Sequence, residues 1–94
     1  MTYEDFRASL TNDVMPAGLD PALEAMWEDG RGNWEAAHRL VQDESTTEGA
    51  WVHAYLHRKE GDLANAGYWY RRCGKAVCAD PLSDEWERIV RALI

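Results

Sequence analysis

Apolar residues recur along this chain at helical spacing, with polar residues filling the gaps. Phe6 and Leu10 sit at i and i+4. Leu23, Met26 and Trp27 form a second apolar face, and Ala37, Leu40 and Val41 a third. Trp86, Ile89, Val90 and Leu93 form the stripe of a last helix. No segment sustains the period-two alternation of a strand, so the pattern predicts an all-α domain.

The boundaries come from cap and turn residues. Thr2 caps a short helix to about Leu10, with Asp5 in its first turn. Thr11–Leu19 reads as a loop. Asp20 followed by Pro21 is a strong helix start, and Gly30, Arg31 and Gly32 end that helix. Asn33 caps the next, about Trp34 to Asp43. Ser45, Thr46, Thr47 and Glu48 match a capping box that opens a helix to about Glu60, stopped by Gly61. Asp62 caps a fifth helix, about Leu63 to Cys73, and Gly74 ends it. Asp80 or Ser83 caps the sixth.

The stretch Trp51–Cys73 organises the rest. It holds two of the three histidines, two of the five tryptophans and a tight turn at Gly61 and Asp62. Ala50, Ala54, Ala66 and Gly67 are small residues on facing helices and allow their axes to approach closely. Leu63, Ala66, Tyr70 and Cys73 follow helical spacing and are expected in the core.

An internal repeat runs through the same region. Gly32-Asn33-Trp34-Glu35-Ala36-Ala37 aligns with Gly61-Asp62-Leu63-Ala64-Asn65-Ala66: a Gly, a cap, an apolar residue, two spacers and an Ala. Each copy is a helix, a turn at the Gly and a second helix. Recurring helical hairpins signal a repeat architecture.

On Ala54, Gly61, Asp62, Leu63, Ala66, Tyr70 and the closing Asp80 and Pro81, the chain resembles the tetratricopeptide repeat family over about residues 20–81. The resemblance implies stacked antiparallel helix pairs of the kind often used to bind peptides. The expected domain covers 1–94: hairpin one at about 20–44, hairpin two at about 46–74 and a C-terminal helix at about 83–94. The segment from His53 to Arg72 also resembles an uncharacterised group of small helical proteins, which brings no activity with it.

Charge sharpens the picture. The formal net charge of -7 argues against general nucleic-acid binding. Residues 1–47 hold ten acids and three bases, whereas 48–94 hold seven of each. Within 58–75 the bases Arg58, Lys59, Arg71, Arg72 and Lys75 outnumber Glu60 and Asp62. The plainer reading of this local excess is a solvated patch that offsets the acidic half; the sharper one is a site for an anionic ligand or acidic peptide. The acidic start lacks a signal-peptide pattern, and no apolar run approaches a bilayer span. A cytoplasmic protein with no membrane partner is the default expectation. Cys73 and Cys78 suit neither a disulfide framework nor a zinc site, and Cys73 reads as a small core residue.

Two constellations carry chemistry. His53 and His57 share one helix face four residues apart, with Glu60 continuing the stripe. The family resemblance puts apolar side chains at these two positions, so it implies that both histidines are buried. The repeat offset places Glu24 and Glu28 as their equivalents in the first copy, and His38 on the intervening helix. Glu24, Glu28, His38, His53 and His57 are thus a candidate polar cluster or divalent-metal set, with a buried structural network as the plainer reading. Trp51, Tyr55 and Arg58 form a second stripe. By the resemblance it lines a concave groove, where with Arg71 and Arg72 it would suit a peptide or planar ligand. The plainer reading packs it under the last helix. No P-loop, dinucleotide glycine motif or nucleophile elbow is present.

The expected function is a non-enzymatic helical module that binds a protein, a peptide or a second copy of itself, without a cofactor. The alternative is a metal- or small-molecule-binding protein, a hydrolase among the options, built on His53 and His57.

Overall fold

The computed structural model describes all 94 residues and is all α, with no strand. The order is α1 (Tyr3–Ser9), α2 (Pro21–Gly30), α3 (Trp34–Val41), α4 (Thr47–Glu60), α5 (Leu63–Arg72) and α6 (Leu82–Leu93). Side-chain caps open four of the six helices, α1, α2, α4 and α5, while Asn33 before α3 and Pro81 before α6 make no cap bond. Thr2 Oγ1 accepts from the Asp5 amide while the Asp5 carboxylate accepts from the Thr2 amide, a complete capping box. Asp20 accepts from the Leu23 amide at 3.0 Å, with Pro21 in the first turn. Asp62 caps α5 by accepting from the Asn65 amide.

Two starts differ from expectation. The cap of α4 is Thr46, which accepts from the Gly49 amide at 3.0 Å, not Ser45. A Cβ on Gly49 would lie 2.5 Å from Glu44 Cγ, so a side chain there forces Glu44 to move. The cap of α6 is Pro81, which makes no side-chain cap bond, in place of Asp80 or Ser83. Acidic Asp84 and Glu85 in the first turn of α6 complement the helix dipole instead.

α2 pairs with α3 and α4 with α5, giving the two expected hairpins. Their turns repeat the same bonds. The Asn33 amide donates to the Glu28 carbonyl, and the Asp62 amide to the His57 carbonyl, both at 2.9 Å. Gly32 and Gly61 both adopt positive φ, 85° and 90°. The repeat positions Ala37 and Ala66 are both buried.

α4 is the central helix. It touches α2, α3, α5 and α6, and every residue from Gly49 to His57 is buried. That burial on all sides explains its mixed surface: aliphatic, aromatic and imidazole side chains each meet a different neighbour. α6 packs across α2 and α4, and the Trp86 indole donates to the Met26 carbonyl at 3.1 Å. α1 closes that end, with the Tyr3 and Phe6 rings about 6 Å from the Trp86 ring. Ser9 accepts from the Trp27 indole at 3.0 Å and so ties α1 to α2.

The core contains Ala54, Ala66, Tyr70 and Cys73 as expected, but Leu63 is 67% exposed. Its repeat equivalent Trp34 is half-buried because hairpin two covers it. α6, which follows hairpin two, packs on α2 and α4 and leaves Leu63 uncovered. No helix is long and apolar enough to cross a membrane.

Candidate functional site

α3 and α4 bring the three histidines of the chain together. His38 Nε2 lies 3.1 Å from His53 Nε2. One ring nitrogen from each of His38, His53 and His57 falls within 4.8 Å of the others. The ring centroids are 4.8 Å apart for His38 and His53, 5.2 Å for His38 and His57, and 4.7 Å for His53 and His57. His53 and His57 meet because i and i+4 share a helix face. His38 joins them because α3 packs along α4.

Two tryptophans wall the cluster. Trp34, four residues before His38 on α3, stacks on the His38 ring at 5.0 Å and 8°. Its indole donates to the Leu56 carbonyl at 2.8 Å, which fixes it against α4. Trp69 of α5 stacks on the His53 ring at 4.0 Å and 19°.

His53 and His57 are only 5% and 6% exposed. Burial, followed by the neighbouring His57 and His38 rings, pushes the His53 imidazole down to about 4. Burial and then His57 lower His38 as well. These two rings are therefore neutral at pH 7, the form that ligates metal ions. His57 Nδ1 bonds Glu60 Oε1 at 2.7 Å, and His57 Nε2 lies 3.3 Å from Asn65 Nδ2. His53 Nδ1 is the one buried side-chain polar atom in the protein without a hydrogen-bond partner.

Glu24 and Glu28 do not join this cluster, contrary to expectation. Glu28 instead accepts from the Asn33 side chain at 3.1 Å, at the turn of hairpin one. Copies related by translation present equivalent positions in the same direction. Glu24 and Glu28 therefore repeat the placement of His53 and His57 one hairpin earlier rather than facing them. Glu60, which continues the His53–His57 stripe, supplies the carboxylate.

The aromatic-basic stripe lies on the opposite side of α4, and α6 covers it. Trp51 and Tyr55 are buried. The Trp51 indole donates to Glu85 Oε2 at 3.3 Å, and Arg58 pairs with Glu85 Oε1 at 2.8 Å. Arg58 also donates to the Asp80 carbonyl. Tyr70 donates to the same Glu85 carboxylate. Tyr55 donates to Asp29 Oδ2 at 3.0 Å, and Lys59 pairs with Asp29 Oδ1 at 2.9 Å. Burial and then these carboxylates raise both phenols above their ordinary range. Arg71 and Arg72 are exposed and do not converge with Arg58. Arg72 lies over the Trp69 and Tyr68 rings, 5.3 and 5.8 Å from their centroids.

Sequence reasoning missed Trp34, Trp69 and Asn65 as walls of the histidine cluster, and Asp29 and Glu85 as buried anchors. Only Trp34 left a signal, its four-residue spacing from His38. A cavity of about 340 Å³ lies between Arg7, Asp29, Tyr55, Lys59, Ser83 and Trp86, away from the histidines.

The chain matches no protein-family model, no curated protein and no solved structure. Its likeness to helical repeats is therefore one of helix arrangement: two hairpins stacked through α4.

Proposed function

We propose that this protein is a non-enzymatic binding module whose ligand is a divalent transition-metal ion held by His38, His53 and His57. The observation that carries the reading is the convergence of three imidazoles with two Nε2 atoms 3.1 Å apart. Two nitrogens bound to one ion at ~2.0–2.1 Å with tetrahedral geometry stand about 3.3 Å apart, close to the separation of the His38 and His53 nitrogens. A donor set of imidazoles selects zinc, copper or nickel over magnesium and calcium, which take oxygen ligands. A non-catalytic role suits the site, since the histidines line none of the principal surface cavities.

Metal analysis of purified protein and titration with Zn²⁺ and Co²⁺ test this. One ion per chain is expected, lost on His38→Ala, His53→Ala or His57→Ala. No uptake, or uptake indifferent to all three changes, overturns the reading.

A partner-binding reading rests on a different observation. Tyr68, Arg71 and Arg72 leave an exposed aromatic-basic face on α5 of a chain whose net charge is -7. An acidic peptide bound there should dissociate as salt is added. An affinity unchanged by salt or by replacing both arginines argues against it.

A further inference from the structure

We propose, resting on the metal-binding reading above, that Glu60 is the positioning residue of the site and that Asn65 is the group the ion displaces. The chain of reasoning starts at one proton. A carboxylate has lone pairs and no hydrogen to give, so in the 2.7 Å contact His57 Nδ1 carries the proton and Glu60 Oε1 accepts it. That fixes the tautomer: Nε2 of His57 is left with its lone pair. The Asn65 side chain meets this nitrogen at 3.3 Å with its amide Nδ2, a donor facing an acceptor.

Each part has a structural origin. Glu60 follows His57 by three residues at the last turn of α4, so the two side chains share a face. Asn65 stands in the first turn of α5, where the Asp62 cap holds its backbone amide and leaves its side chain free for His57. The turn at Gly61 therefore brings carboxylate, imidazole and amide together.

The same arrangement suits an ion. A metal-ligating histidine donates its second N–H to a carboxylate or carbonyl, which sets the ring orientation and raises its basicity. Glu60 supplies that acceptor. The lone pair on Nε2 cannot serve Asn65 and an ion at once, so uptake requires the Asn65 bond to break. Asn65 is half-buried, not enclosed in the core.

Three measurements on the full chain test this. Long-range ¹H–¹⁵N spectra of the metal-free protein should show His57 with its proton on Nδ1; a proton on Nε2 overturns the assignment. In Zn²⁺ competition titrations, Glu60→Ala should weaken binding by about 10–100-fold. Glu60→Gln, which keeps a carbonyl acceptor, should recover part of that loss. Asn65→Ala should bind as tightly as the parent chain or more tightly; a large loss would make Asn65 a ligand rather than the displaced group. Parent protein that takes up neither Zn²⁺ nor Co²⁺ overturns the metal reading and this assignment together. Uptake that is as tight with Glu60→Ala as without overturns this assignment alone.

Discussion

Two polar clusters flank α4, and the chain completes one but not the other. On the α6 side, every oxygen of the buried carboxylates has a donor. Glu85 receives Arg58, Tyr70 and Trp51, and Asp29 receives Lys59 and Tyr55. On the α3 side, imidazoles face one another and a nitrogen of buried His53 has no partner. Burial is similar in the two, so burial does not distinguish them. Satisfaction does. A closed network of opposite charges and hydroxyls stabilises and orients helices. Three imidazoles turned toward one another, two of them neutral, are the feature on which the proposed metal site rests.

The comparison would break most visibly at Glu85. Glu85→Ala leaves Arg58, Tyr70 and Trp51 without their shared acceptor, and should cost ~3–5 kcal/mol in urea unfolding. A loss below about 1 kcal/mol would show that the carboxylate network does not hold α6. Next in size is Ala54, which has no exposed surface. Ala54→Phe should destabilise by ~1–3 kcal/mol through overpacking, read from the denaturation midpoint.

Gly61→Val tests the turn that places Glu60 and Asn65. A Cβ at Gly61 would meet nothing within 4 Å, so its cost is backbone strain alone, ~1–2 kcal/mol. Thermal unfolding should fall by that amount, and a neutral result would show that the turn relaxes.

The smallest stability effect is expected at the histidines, and it sharpens the contrast with Glu85. His53→Leu removes a buried unpaired nitrogen, so stability should change by less than about 1 kcal/mol, or rise, while metal uptake is lost. Its pH signature differs too. The unfolded imidazole has a pKa near 6.5, and the folded one is pushed down to about 4. Between these values the unfolded state binds more protons, so stability is greatest above pH 6.5 and declines as pH falls toward 4. Urea unfolding at pH 7 and pH 5 should show a smaller loss in His53→Leu than in the parent chain. An equal loss would place the titrating group elsewhere.

Much of the fold was legible because its causes are local. Asp20 before Pro21, Gly61 before Asp62 and the spacing of Trp86, Ile89 and Val90 act within one or two turns. The candidate site was legible in part. His53 and His57 share one helix, and the repeat placed His38 beside them. The same repeat misled for Glu24 and Glu28, because similarity between copies tells which positions correspond, not which ones touch. Trp51, Tyr55 and Arg58 look like a binding stripe in the sequence, and nothing local shows that α6 lies on it.

Six helices, two glycine turns and a chain of helical hairpins follow from residues that act on their near neighbours, so the sequence by itself determined them. The tertiary structure decided which polar groups meet. Trp51 reaches Glu85 across 34 residues of chain, and His38 reaches His53 across 15. Such contacts depend on how whole helices pack, because an acceptor gains a donor only when two apolar faces have already set the distance between their backbones. That packing closed the carboxylate network on one side of α4 and left the three imidazoles facing each other on the other.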